Sequence, residues 1–318
     1  MSPSTTNVGA LALAAVAQAV AFLLLAPVLR GLVRKAKAAF QIREGPRLLQ
    51  PFFDLVKLLG KERMRSTTAS WVFAAGPRVY FASMVAATAL VPAAVAFAPL
   101  EAAGGVLLLV ALLALGRFAL ATAALDTGSP FGGMGASREM TVGALAEPAL
   151  MLALFTAGLS AGSLNLGELV RRSAERGVSI HPSAVLAAAA LFIVLLAEGG
   201  RVPVDNPATH LELTMIHEAM VLEYSGADLA LVEWGSAVKE LLFLTLLAGL
   251  FLPIGVATSL APTALAVGLA AFAAKVLALA FLVVLVESTN AKLRFFRVPE
   301  LMAVALGLGF LALAMRFF

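Results

Sequence analysis

Apolar runs at about 8–29, 70–98, 104–125, 140–161, 183–197, 229–254, 263–286 and 300–315 alternate with Pro, Gly and clusters of charge. A spanning helix needs roughly 20 mostly apolar residues, and most of these runs reach that length. The pattern predicts about eight transmembrane helices. The fifth run is the shortest and reaches span length only by taking in Glu198 or residues before Ser183. Between the first two runs, Arg47, Gln50, Asp54, Lys57 and Lys61 recur every three or four positions, with Leu48, Leu49, Phe52, Phe53, Val56 and Leu59 between them. That spacing predicts an amphipathic helix lying on the membrane surface. The reading is an all-α membrane protein with a single transmembrane domain over 1–318 and polar loops at about 30–69 and 198–226.

Composition agrees and narrows the chemistry. The chain is 61% hydrophobic and 13% charged, with a mean hydropathy of +0.97. No sizeable soluble domain fits between the spans. With no cysteine, the chain cannot hold an iron–sulfur cluster or a thiolate zinc site, or form a disulfide. His210 and His217 lie seven apart, not the four of a metalloprotease pair, and His181 sits in a loop before Pro182, so neither zinc nor a transmembrane haem is expected. Residues 1–29 carry no charge, so a signal peptide's basic start is missing and the first span should be retained.

The net charge of +4 does not point to nucleic acid, because the basic residues flank apolar spans. Sixteen fall in the odd-numbered loops, eleven of them between Arg30 and Arg78, against Arg171, Arg172, Arg176 and Arg316 on the other side. The positive-inside rule then makes the odd loops cytoplasmic and puts both termini on the outer face of the cell's inner membrane. The partner implied by composition is the lipid bilayer.

Acidic residues are concentrated between 198 and 240: Glu198, Asp205, Glu212, Glu218, Glu223, Asp228, Glu233 and Glu240. A solvated acidic loop is one reading. A buried, funnel-lining cluster is the other, because Leu211, Leu213, Met215, Ile216, Met220, Val221 and Leu222 supply a helical apolar pattern between the acids. Pro203 and Pro207 predict an extended entry and a helix starting near Thr209, which would set Glu212 and Glu223 on one face.

Ionisable groups inside spans cost free energy and mark polar pathways or buried ion pairs. They are Arg117, Glu139, Glu147, Glu233, Lys239, Glu240, Lys275 and Glu287. Glu139, Glu233 and Glu287 stand near span ends and can reach the interface. Glu233 and Glu240, seven apart, share a helix face with a step of roughly 10 Å. The candidate ion-coupling relay comprises Glu139, Glu147, Glu198, Asp205, Glu212, Glu218, Glu223, Glu233, Lys239, Glu240 and Lys275.

Two stretches carry a resemblance, GGRVPVDNPATHLELTMIHEAMVLEYSG at 199–226 and REGPRLLQPFFDLVKLLGKE at 43–62. They resemble the subunit 1 (H-type) membrane protein shared by respiratory complex I and membrane-bound [NiFe] hydrogenases. Glu198, Arg201, Pro203, Asp205, Glu212, Glu223 and Tyr224 match acidic-loop positions of the complex I members, while Val204 replaces a Phe. The wording from Val204 to Glu218 is similar to formate hydrogenlyase and related hydrogenases. The first motif also lacks an insertion that complex I members carry. The resemblance implies a non-catalytic subunit that docks a [NiFe] large subunit and a small iron–sulfur subunit through Arg43, Arg47, Asp54, Arg201 and Asp205. It also implies antiporter-like membrane neighbours. The [NiFe] centre and iron–sulfur clusters would belong to those partners and none to this chain. The alternative is the quinone-chamber subunit of a complex I-like NADH:quinone oxidoreductase.

Overall fold

The computed structural model describes residues 8–96, 98, 100, 105–206, 215–258 and 261–317. Among these there are helices and no strand: α1 (Val8–Phe40), α2 (Gln50–Leu59), α3 (Trp71–Thr88), α4 (Val106–Asp126), α5 (Pro130–Ala161), α6 (Leu166–Arg176), α7 (Pro182–Glu198), α8 (His217–Val221), α9 (Gly226–Leu250), α10 (Pro262–Thr289) and α11 (Val298–Ala314). By length and composition α1, α4, α5, α10 and the segment Phe295–Ala314, which is α11 with the 3-10 turn before it, are long and apolar enough to cross a membrane. The chain is a multi-pass membrane protein. α7, at 17 residues, is shorter, and α9 carries Asp228, Glu233, Lys239 and Glu240.

Local sequence explains most of the boundaries. Prolines open α2, α5, α7, α10 and α11, where a missing N–H costs no helical bond. Ser70 caps α3 by accepting from Val72 N, and Asn165 caps α6 by accepting from Gly167 N and Glu168 N. Gly162, at φ 68°, ends α5 in the left-handed conformation that glycine adopts without strain.

Three boundaries differ from the sequence pattern. α1 continues as helix through Arg30, Arg34, Lys35 and Lys37 to Phe40, so these are helical positions and not loop. The apolar run at 70–98 is helix only to Thr88, since Pro92 follows and Val95 pairs with Ala257 in a short bridge. α5 starts at Pro130, ahead of the predicted 140, which places Glu139 inside the helix. The helix start expected near Thr209 lies outside the described residues.

α9 is the axis of the bundle. It packs against α1, α2, α3, α6, α7 and α10, and it is buried without a break from Gly235 to Leu250. A helix buried on all sides over this stretch fits a central position, with Lys239 and Glu240 as its interior charges. α11 packs on α5 and α7, and α3 lies along α4. α2 turns Pro51 and Leu55 inward and leaves Phe53, Val56 and Leu59 exposed, as a surface helix resting on lipid requires.

Candidate functional site

The site is built on α9, where Lys239 and Glu240 are consecutive and so project about 100° apart around the helix. Each heads a different group of charges. Lys239 Nζ lies 3.2 Å from Glu198 at the end of α7. Glu198 is also paired with Arg117 of α4, whose Nη1 is 2.5 Å from Glu147 and whose Nε is 3.9 Å from Glu139, both on α5. Gly143 makes this possible, because a Cβ there would overlap the Arg117 guanidinium.

The second group surrounds Glu240. Arg201 Nη2 reaches its two carboxylate oxygens at 2.6 and 2.7 Å, and Arg30 Nε stands at 3.5 Å. Arg30 continues to Glu233 at 2.9 Å and to Ser236 Oγ at 2.6 Å. Arg201 continues to Glu287 of α10 at 3.5 Å, and Lys37 closes the far side of Glu287 at 3.3 Å. Burial would by itself lower the Arg201 pKa, but Glu240 and Glu287 outweigh it and hold the pKa above its ordinary value. The side chains of Arg117, Glu198, Lys239, Glu240 and Glu287 are each at most 7% exposed. Such pairing is what permits charge at this depth, where removing one partner leaves the other unanswered.

A third element anchors the acidic segment. Buried Asp205 accepts from Asn206 N at 2.8 Å and Ile216 N at 3.0 Å, and pairs with Lys292 at 2.7 Å. Its two backbone partners stand on either side of residues 207–214, so Asp205 ties the two ends of that segment together. Arg138 donates to Met215 O at 2.8 Å and lies over the Phe295 ring. Nearby, Asp228 at the start of α9 faces Arg63, Arg65 and Arg78 at 3.5–3.6 Å. Gly226, at φ 54°, sits against the Glu62 carbonyl, which leaves no room for a Cβ.

Two cavities meet at this site. One, of about 210 Å³, runs under α2 and is lined by Pro27, Arg30, Arg34, Pro51, Asp54, Leu55, Leu58, Leu229, Glu233 and Ala237. The other, of about 90 Å³, reaches Arg201, Asp205, His217 and Glu218. Arg30, Arg34 and Glu233 line both. Burial pushes the Glu218 carboxyl above the ordinary carboxylate range, against the pull of His217.

Of the residues singled out from the sequence, Glu139, Glu147, Glu198, Glu233, Lys239 and Glu240 are brought together, with Asp205 and Glu218 adjoining. Glu212 and His210 lie outside the described residues. Glu223 is an exposed residue in the turn after α8, which ends at Val221 where the chain bends toward Gly226, so it is not continuous with a loop helix. Lys275 is half-buried on α10 and makes no ion pair among the described residues, which separates it from both groups. Arg201 and Asp205 face inward, held by Glu240 and Lys292, so of the docking set only Arg43 and Arg47 are exposed, with Asp54 half-buried and hydrogen-bonded to Gln50 at 2.8 Å. The hydropathy pattern puts Arg30 and Lys37 in a loop and lets Glu287 reach an interface, yet all three are in the buried network. The signal for them was positional: Arg30 and Lys37 lie seven apart, on one face of a helix that continues past the apolar run.

This arrangement is a multi-pass bundle with titratable groups threaded through its interior. The NADH dehydrogenase family matches residues 13–316, and the chain belongs to that family, as a member of its subunit 1 type. It is 36% identical to hydrogenase-4 component C of Escherichia coli (strain K12) over 96% of this chain and 95% of that protein. It is 33% identical to formate hydrogenlyase subunit 4 of the same organism, over 93% and 95%. A chain from the structure of the membrane-bound sulfane sulfur reductase, an archaeal respiratory membrane complex, superposes with a TM-score of 0.85 at 21% identity, covering 96% of this chain and 99% of that one.

Proposed function

We propose that this chain is the membrane-anchoring and ion-coupling subunit of a membrane-bound [NiFe] hydrogenase of the formate hydrogenlyase type. The observation that carries the reading is the pair of buried charge groups flanking α9, in a chain similar over nearly its whole length to two hydrogenase-complex components. Glu198 and Glu240 stand at the centres of the two groups, and each is held between two cations. A change of charge at one carboxylate alters the proton affinity of its neighbours, which is what coupling by electrostatics needs.

In this reading α1, α3, α4, α5, α7, α9, α10 and α11 make eight crossings, and both termini face outward from the inner membrane. The exposed Lys35, Arg43, Arg47, Lys57 and Lys61 then lie on the cytoplasmic side, as the positive-inside rule asks. Arg43 and Arg47 would meet the soluble arm, a [NiFe] large subunit and a small iron–sulfur subunit that carry all the redox centres. Antiporter-like subunits would adjoin the bundle within the membrane. The quinone-chamber alternative finds its cleft under α2, but about 210 Å³ is below the roughly 300–1,000 Å³ of ordinary small-molecule pockets.

The test is Glu240→Gln in the whole complex. Gln keeps the size and hydrogen-bonding shape of Glu but cannot change protonation state. Ion translocation by membrane vesicles should fall at least about tenfold, while the large and iron–sulfur subunits still co-purify with this chain. Unchanged translocation by an assembled variant would refute the coupling role. Absence of a nickel-containing partner from the purified complex would refute the hydrogenase assignment.

A further inference from the structure

Among the described residues no ion pair joins the set of Arg117, Glu139, Glu147, Glu198 and Lys239 to the set of Arg30, Glu233, Glu240, Arg201, Glu287 and Lys37. Between them stands Tyr80 of α3, 2% exposed. Its hydroxyl is buried and has no hydrogen-bond partner among the described residues. On α9 the ring borders Gly235, which precedes Ser236 of the Arg30 group, and on α4 it borders Gly116, which precedes Arg117 of the other group. Ser236 Oγ is in turn the acceptor of Arg30 Nη2 at 2.6 Å.

The ring is placed there by a slot of two glycines. A Cβ on Gly235 of α9 would come 2.8 Å from Tyr80 Cε1, and one on Gly116 of α4 would come 3.1 Å from Cδ2. Any larger residue at either position would push the ring out of the gap between α4 and α9. Burying a hydroxyl without a partner is unfavourable, so a tyrosine with only a packing role would do better as phenylalanine.

We propose that Tyr80 is the proton-passing junction between the two charge groups, a role that rests on the coupling function proposed above. A proton leaves the Lys239 ammonium for the phenol oxygen while the phenol's own proton passes to the Ser236 oxygen. The Ser236 proton goes on to Glu233, which the same Arg30 guanidinium holds at 2.9 Å. The ammonium becomes an amine, the carboxylate becomes a carboxylic acid, and Tyr80 and Ser236 end as they began. Lys239 then recovers a proton from Glu198, its neighbour at 3.2 Å, once that carboxyl has taken one from its own side.

Tyr80→Phe in the full complex tests this, with Glu240→Gln made in parallel. Vesicles are energised by whichever of formate, carbon monoxide, NADH or reduced ferredoxin drives the wild type, and proton uptake is read from a pH-gradient dye. The melting temperature and subunit content of the purified complex are measured on the same preparations. The expected result is a loss of proton uptake of about tenfold or more, with an unchanged or slightly raised melting temperature and full subunit content. Wild-type uptake in Tyr80→Phe beside a defective Glu240→Gln overturns the junction and leaves the coupling reading standing. Wild-type uptake in both overturns both. A fall in uptake that follows a lower melting temperature or lost subunits makes Tyr80 a structural residue and also overturns the junction.

Discussion

The two ends of the bundle use arginine in opposite ways. At the end holding α6, all four basic residues are anchored locally. Arg172 donates to Ala161 O, Arg176 to Ser160 O and Arg316 to Ser160 Oγ, so three of them converge on the last turn of α5, while Arg171 and Arg172 both pair with the surface carboxylate of Glu168. Carbonyl groups at a helix C-terminus attract cations through the backbone dipole, and they cannot take up or release protons. At the other end and in the interior, Arg117, Arg201 and Arg30 face carboxylates that can. An arginine fixed by backbone holds a helix end in place, whereas one fixed by carboxylates sets their protonation. The deeply buried ion pairs of the bundle therefore lie away from the α6 end.

The sharpest way to break that contrast is Arg117→Gln. Glu198 would keep Lys239, but Glu147 and Glu139 would lose the one cation each pairs with among the described residues. Removing one partner of a buried pair costs about 3–5 kcal/mol. The assembled complex should melt well below the wild type or fail to accumulate. Adding Glu147→Gln to the variant should recover part of the loss, and full additivity of the two substitutions would show that the pair is not coupled.

Part of this was legible in the amino acids. Long apolar runs and charges inside them identify a polar interior without any structure, and Glu147, Glu198, Glu233, Lys239 and Glu240 all lie where that reasoning points. Arg30, Lys37 and Glu287 were hidden because an apolar run is taken to end at its first charge, and α1 runs on as helix beyond Arg30 while α10 continues to Thr289. Tertiary pairing, not local hydropathy, decides where those helices stop being buried. Lys275 is the converse case. A lysine in mid-span resembles its buried counterparts in sequence, but Lys275 is only half-buried, at the edge of the buried face of α10, and meets no carboxylate within ion-pair distance among the described residues. Tyr80 gave no signal, since only the glycines of two other helices define its slot.

At the α6 end a smaller effect is expected. Arg172→Gln with Arg176→Gln removes two cations from the C-terminal turn of α5, each contributing about 0.3–1 kcal/mol. The melting temperature should fall by a few degrees, in line with about 1 kcal/mol for a protein of this size, and ion translocation per assembled complex should match the wild type. A translocation defect without loss of stability would mean that the α6 end also takes part in coupling.

The smallest effect concerns Glu218, beside His217 in the cavity that also reaches Arg201 and Asp205. Burial holds its carboxyl above the ordinary range in the folded protein, so the folded state favours the protonated form. Below the unfolded glutamate pKa of about 4.3 both states are protonated and the group contributes no penalty. As pH rises through the folded value, the unfolded chain ionises freely while the folded chain must ionise in a buried place, and stability is lost. Glu218→Gln removes that loss. Its melting temperature in detergent should therefore exceed the wild type's at neutral pH, and the difference should shrink to nothing as pH falls toward about 4. A Glu218→Gln variant less stable than the wild type at neutral pH, with the gap closing in acid, would mean that His217 and Arg30 hold Glu218 ionised, and would add it to the carboxylates of the Arg30 group.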